Sequence, residues 1–501
     1  RRPSRSRFRR ARGGTAGPDV QPPFWLRPFV PRRSPPSSGR RGPDRLPMEE
    51  PASGYTVLGG GVPLPHTRGP NARVSKHVPA VLRSREPVGG RMTLSQCTFC
   101  WINMVMNFGV FSMPFTFSQC GLAAISASLL AVGVCAYTAK LLAEAIAEKI
   151  EQGEQPTELT LATEAVGPRF GRLMQFLMPF ECFVYGFGNV VCVAKTLSPL
   201  IGVDVNAVAL GSVALAMPMM AIPNKAYSYV SLLAGTSVMV AMCLIVAFGA
   251  SLPEWAEGSE ILVSGRGLSR GFSLNLFCIA AHCIIPTTYA SMGSKDNVVR
   301  SYCWGVAVWL FCALAFGVSG YYIFGESSQV LAIENLGRDI DMNPYPVSSA
   351  VRLAFPVMML LKCQLCLVPV GRPVACLLNG LVGASADVCA GGWEGFRAGV
   401  PGTLCLLPAA VAFMTAMDFV DGFTGSVVMS MNALIFPGLA YLRICKPAGY
   451  ARLGSQAVVA FGVLFSIVMG TDFLATYCIA KADATGTSTL WIMHRFGGIF
   501  I

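Results

Sequence analysis

The sequence predicts an all-α integral membrane protein of about eleven transmembrane helices, and three features of its 501 residues point there. Hydrophobic residues make up 53% of the chain and charged ones 13%, about half the charged share of a soluble globule, which is roughly 25%. Mean hydropathy is +0.53, so too few charges remain to coat a water-facing surface of this size. The apolar residues also gather in runs of about 20, the length that crosses a hydrocarbon core of about 30 Å. An ordinary water-soluble globule is excluded.

The net charge of +12 sits almost entirely ahead of those runs. Residues 1–47 hold thirteen Arg against Asp19 and Asp44, a net of +11 that leaves +1 for residues 48–501. Residues 1–94 lack apolar periodicity and open on a stretch rich in Arg, Pro, Ser and Gly, the composition of a disordered basic tail. Three readings of this tail stand open: a polybasic arm for anionic lipid, an Arg- and Ser-rich targeting segment, or sequence upstream of a start at Met48. With the body of the chain near neutral, no nucleic-acid partner is expected.

Residues 95–480 read as one eleven-helix domain, followed by a short C-terminal tail at 481–501. The spans fall at about 97–118, 122–143, 172–195, 203–222, 229–251, 271–292, 303–324, 351–371, 399–417, 423–442 and 456–478. Turn or charge punctuation bounds them: Gly121 after the first, Pro199–Gly202 after the third, Pro253 and Glu254 after the fifth, Lys446 and Pro447 after the tenth. The charged stretches 146–171 and 325–350 are polar connectors, the first of them partly helical. Twelve Lys and Arg lie on one side of this layout and seven on the other, so positive charge inside places the N-terminus in the cytosol and the C-terminus opposite.

Two of the spans carry signs of interruption. In lipid every backbone polar group needs an internal partner, so broken helix marks backbone that lines a cavity. Span one reads Asn107-Phe-Gly109-Val110-Phe111-Ser112-Met113-Pro114, and the proline ring clashes one turn back, near Val110. That predicts a break around Gly109–Met113. Span six again has a mid-span proline beside polar residues, from Asn275 through His282, Pro286 and Tyr289 to Ser291. If the first ten spans form two five-helix repeats, spans one and six correspond, and a matched pair of interruptions points to a transporter substrate site.

At these residues the chain becomes familiar. Asn107-x-Gly-x-x-x-Met-Pro114-Phe resembles the first-helix signature of the amino acid/auxin permease family, as does Ala136-Tyr-Thr-x-Lys140-Leu at the end of span two. Phe277-Cys-x-x-x-His282-x-x-x-Pro286-x-x-Tyr289-x-Ser-Met292 is similar to its sixth-helix motif, and Gly320-Tyr-x-x-Phe-Gly-Glu326 to its seventh-helix exit. The resemblance runs from about residue 95 to 478 and is nearest to the vacuolar and vesicular branch. It implies a five-plus-five inverted repeat with broken helices one and six, moving amino acids by secondary transport, often with protons. Ala280 and Ala281 depart from the sixth-helix pattern, where glycine or small polar residues are usual.

Ionisable residues inside a span cost about 2.5–3.5 kcal/mol on insertion scales and are functional candidates by default. Glu181 lies within span three and Lys362 near the middle of span eight, so the repeat symmetry lets them face each other across a central cavity. His282 is the one histidine of four inside a span, and its ordinary titration range suits proton transfer. Substrate contacts are therefore assigned to Asn107, Gly109, Val110, Phe111 and Ser112 at the first break and to His282, Pro286 and Tyr289 at the sixth. Ion coupling is assigned to Glu181, His282 and Lys362. Exposed amides after Gly109 would hold a carboxylate and free carbonyls near His282–Pro286 an ammonium, a site suited to a net-neutral amino acid.

The eighteen cysteines lie mostly inside apolar runs, where cysteine packs as a small hydrophobe. The Cys97/Cys100 and Cys363/Cys366 pairs have no histidine beside them, so no metal site is expected. No cofactor is expected beyond H⁺ or Na⁺ as coupling ion, and the partners are the substrate and the bilayer around a monomer. A single intramembrane histidine and no H-E-x-x-H argue against a membrane enzyme, and no span offers the continuous polar face of a channel. A sensor that binds an amino acid without moving it would carry the same motifs. Vacuolar or other endomembranes and the plasma membrane are all compatible.

Overall fold

The computed structural model describes residues 91–154, 156–251, 265–335, 346–362 and 422–485. Every regular element among them is helical. Ten of the eleven expected spans fall at least partly on described residues, while the ninth lies outside them. The expected tail at 1–94 lies outside them except for its last four residues: Met92 donates its amide to Ser291 O at 3.1 Å, and helix starts at Leu94. At the other end helix continues to Thr485, five residues into the expected C-terminal tail.

Helix α1 (Leu94–Val105) opens on a reciprocal cap, with Thr93 Oγ1 accepting from the Gln96 amide and Gln96 Oε1 from the Thr93 amide. After a short non-helical step, tight 3₁₀ turns cover Phe108–Ser112 and α2 runs Met113–Cys120. The hairpin partner α3 (Ala123–Glu151) packs on the sixth span. The first polar connector holds α4 (Glu158–Ala165), capped by Thr157. Lys149, 5% exposed, reaches Glu154 at 3.1 Å and also Glu164, and so ties the end of α3 to α4.

Next come α5 (Pro168–Ile201), α6 (Val205–Ala216) and α7 (Asn224–Ala250). At 34 residues α5 is about 51 Å long, well beyond the thickness of a bilayer core. The sixth span is α8 (Gly265–Ile279), a 3₁₀ turn at His282–Ile284 and α9 (Ile285–Met292), closed by Gly293 at φ +67, a left-handed cap. Then follow α10 (Lys295–Phe324) and α11 (Pro346–Leu360). The tenth span is π-helical over Thr424–Val428 and Ser430–Ile435 before it becomes α12 (Phe436–Ile444), and α13 (Gly449–Thr485) is the last element.

The two interrupted spans lie at the centre. α1 packs on α7 and α10, α2 on α8 and α10, and α5 on α11. Trp101, Phe111, Tyr185, Phe277, Tyr302 and Trp309 are fully buried there. Large apolar side chains face outward instead: Leu130, Phe176, Leu215, Leu233, Phe311 (75% exposed) and Leu464. In water such a surface would aggregate; in a bilayer it is the solvated face.

The first break sits earlier than the sequence implies. Backbone leaves the α-helix at Met106 (ψ 48) and Asn107 (φ −80, ψ −175) and regains it at Met113, so the interruption begins three residues ahead of the expected Gly109–Met113 and overlaps it. Pro114 is the second residue of α2, where its missing N–H is one of the amides a helix start leaves unpaired anyway. Proline here begins the second half-helix instead of breaking a continuous one. The sixth span repeats the grammar: Ala280–Ala281 leave the helix, a 3₁₀ turn follows, and Pro286 is the second residue of α9.

Candidate functional site

Local backbone chemistry builds the site. Where α8 ends, the Ala281 amide turns to Ile279 O at 2.8 Å and the His282 amide to Ala280 O at 2.8 Å. The carbonyls one turn back thereby lose their helical partners. Side chains from other elements donate to these two carbonyls and to the next: Tyr185 of α5 to Phe277 O, Asn107 Nδ2 to Cys278 O at 3.2 Å, and Tyr302 of α10 to Ile279 O at 2.8 Å, which also accepts from the Ala281 amide. The acceptors freed by this break are thus Phe277 and Cys278, upstream of the expected His282–Pro286, and both are engaged.

The first break is stitched to the sixth by the same asparagine. Asn107 Oδ1 accepts from the Gly109 amide at 2.8 Å, the short-range cap that asparagine favours. That amide, expected to stand open for a carboxylate, is therefore occupied by Asn107 itself. Gly109 lets the two breaks touch, since a Cβ there would stand 2.6 Å from Cys278 Sγ. Val110, Phe111 and Ser112 are buried in the 3₁₀ turns, with Phe111 edge-on to Phe316 and Phe355.

A small cavity of about 10 Å³ lies beside the first break, lined by Asn103, Met104, Asn107, Tyr185, Asn189 and Lys362. That volume holds about one water. Of the residues assigned from sequence, Asn107 and Lys362 line it. His282 does not: its Nε2 meets Thr138 Oγ1 of α3 at 3.0 Å and its ring lies edge-on to Tyr302. Tyr289 is buried in α9 and Pro286 half-buried at its start. Asn103, Tyr185 and Asn189 join the site unforeseen; the one signal for them was a polar residue in an apolar run.

Lys362 sits in the turn that follows Leu360, the last residue of α11, and the rest of the expected eighth span lies outside the described residues. Its Nζ donates to both Asn103 O and Asn103 Oδ1 at 2.9 Å. Asn103 Nδ2 in turn donates to Ser231 Oγ at 3.2 Å, and the Tyr227 hydroxyl to Leu361 O, so α1, α7 and the end of α11 are laced together. Glu181 faces other partners than the expected Lys362. It accepts from Asn432 Nδ2 at 2.6 Å and from Cys283 Sγ at 3.3 Å, both neutral groups. The carboxyl thus joins α5, the π-helical tenth span and the 3₁₀ turn of the sixth, with no fixed cation to compete for it among its contacts.

Among the described residues no three His, Cys, Asp or Glu side chains converge as metal ligands. The arrangement instead sets amide side chains and one ammonium around a one-water cavity beside the first break, while a separate buried carboxyl couples neighbouring helices.

Comparison with known proteins agrees with this geometry. Residues 90–476 match the family model described as "Transmembrane amino acid transporter protein". The chain is 24% identical over 431 residues to Amino acid transporter AVT1I of Arabidopsis thaliana, covering 80% of this chain and 98% of that one. Its fold is similar to crystal structures of the Eremococcus coleocola manganese transporter. A histidine-to-alanine mutant aligns over 81% of this chain and 91% of that one, with TM-score 0.55 and 13% identity. A complex with an aromatic bis-isothiourea substituted compound aligns over 81% and 92%, with TM-score 0.51 and 14% identity.

Proposed function

Because the chain belongs to the transmembrane amino acid transporter protein family, whose members are transporters and not enzymes, we propose that it moves small neutral amino acids by alternating access coupled to protons. The observation that carries this reading is the pair of facing breaks, joined by Asn107 Nδ2 and Cys278 O at 3.2 Å, with a small cavity beside the first of them. The substrate enters between them, taking over hydrogen bonds that Asn107 holds with Gly109 and Cys278 in the closed form. Residues Gly109–Ser112 and His282–Tyr289 form the hinged walls that move with the half-helices. Glu181 or His282 takes and releases the proton as they move, and Lys362 holds α1 in place through Asn103. The N-terminus faces the cytosol, in a vacuolar, other endomembrane or plasma membrane, and the monomer is the working unit.

The test is uptake by the purified chain in liposomes, with a panel of neutral amino acids and an imposed pH gradient. Accumulation that follows the gradient and collapses with a protonophore is expected. Accumulation driven equally by a Na⁺ gradient at constant pH would overturn proton coupling. Saturable binding with no accumulation under either gradient would replace transport with sensing.

A further inference from the structure

The carbonyls at the sixth break are engaged by Tyr185, Asn107 and Tyr302, and the amide of Gly109 by Asn107. One buried acceptor, on a residue that lines the cavity, is not engaged. Asn189, two turns along α5 from Glu181, is 1% exposed, lines the cavity, and its Oδ1 has no donor among the described residues. A buried amide oxygen without a partner is rare and costly, so a ligand donor is the natural complement. Lys362 lines the same cavity. Its ammonium repels a bare inorganic cation, while a lone anion would leave the Asn189 oxygen unsatisfied. A zwitterion answers both poles.

We propose that Asn189 is the binding residue for the α-ammonium of a zwitterionic amino acid, with Lys362 at the carboxylate end of the same cavity. This rests on the transport reading above and sharpens it. Recognition works through N–H donors and not through positive charge alone, so α-amino acids bind more tightly than their quaternary ammonium counterparts. The neighbouring Tyr185, one turn back on α5, fixes the depth of the pole by holding Phe277 O.

The experiment compares, in proteoliposomes of the full chain, the best neutral amino acid of the panel with its N,N,N-trimethyl derivative, which keeps the charges and lacks N–H. Wild type is expected to prefer the parent by about 10- to 100-fold in kcat/KM, the range of a hydrogen bond to a charged group. Asn189→Leu is expected to raise KM about tenfold or more with kcat little changed, to lose the discrimination, and to unfold at higher temperature, because an unpaired buried amide is gone. Asn189→Asp keeps an acceptor and retains the discrimination. Equal handling of the two solutes by wild type, or an unchanged KM in Asn189→Leu, overturns the assignment. If Asn189→Leu does not fold, Asn189→Ala, which also lacks an acceptor, must show the same loss of discrimination, and its absence overturns the assignment too. Failure of the transport reading looks different: wild type then accumulates no amino acid. In that case thermal shifts decide the assignment, which requires stabilisation of wild type by the amino acid alone and none of Asn189→Leu; any other pattern overturns it.

Discussion

Glu181 and Asn107 show how one side chain can serve two elements at once. Asn107 donates across to Cys278 O and accepts from Gly109 two residues ahead, so its motion cannot leave either break unchanged. Glu181 is wholly buried against an amide and a thiol, contacts that a neutral glutamine can partly keep. Glu181→Gln is therefore expected to retain amino-acid exchange at equal pH while gradient-driven accumulation falls by roughly tenfold or more, as for a lost proton relay. Parallel loss of both rates, measured in one vesicle preparation, would give the carboxyl a structural role only. At this scale the sequence pointed to Asn107 and Lys362, which do reach the cavity. It did not separate Asn189 from Asn275 or Asn432. An asparagine in an apolar run looks the same whether it bridges helices, as Asn275 does with Ser128 at 3.1 Å, or stands unpaired on a cavity wall.

The half-helices depend on close approach as much as on proline. Gly109 lies against Cys278, and its missing side chain lets the two non-helical steps share a hydrogen bond. Gly109→Ala forces a Cβ to 2.6 Å from Cys278 Sγ and 2.9 Å from Asn107 Oδ1, an overpacking worth about 1–3 kcal/mol. The unfolding midpoint is expected to drop and uptake to fall with it. Adding Cys278→Ala removes the sulfur and recovers part of the stability; a double variant no more stable than Gly109→Ala would show that the two breaks do not meet there. That helices one and six break was legible from paired mid-span prolines. The register was not, because Pro114 and Pro286 both start helices. Asn107, and Ala281 through its turn back to Ile279 O, set where the helix stops.

At the scale of the molecule, an outward belt of leucine and phenylalanine surrounds a centre holding Asn103, Asn107, Glu181, Asn189, His282 and Lys362, all buried. The order of the membrane helices among the described residues was legible because apolar runs of bilayer length have few other uses. Tertiary choices were not, such as the turn after Leu360 from which Lys362 reaches Asn103. The positive-inside bias leads to a topological expectation: in intact vesicles, a tag on the N-terminus is digested from the cytosolic side and one on the C-terminus is protected. Cleavage of both from one side would contradict the odd number of crossings. The most direct measurement is an experimental structure of the chain with a neutral amino acid bound. The ligand is expected between the steps at Met106–Asn107 and Ala280–Ala281, its ammonium at Asn189 and its carboxylate toward Lys362. A ligand seated elsewhere, with those two steps still bonded to each other and the space between them closed, would contradict it.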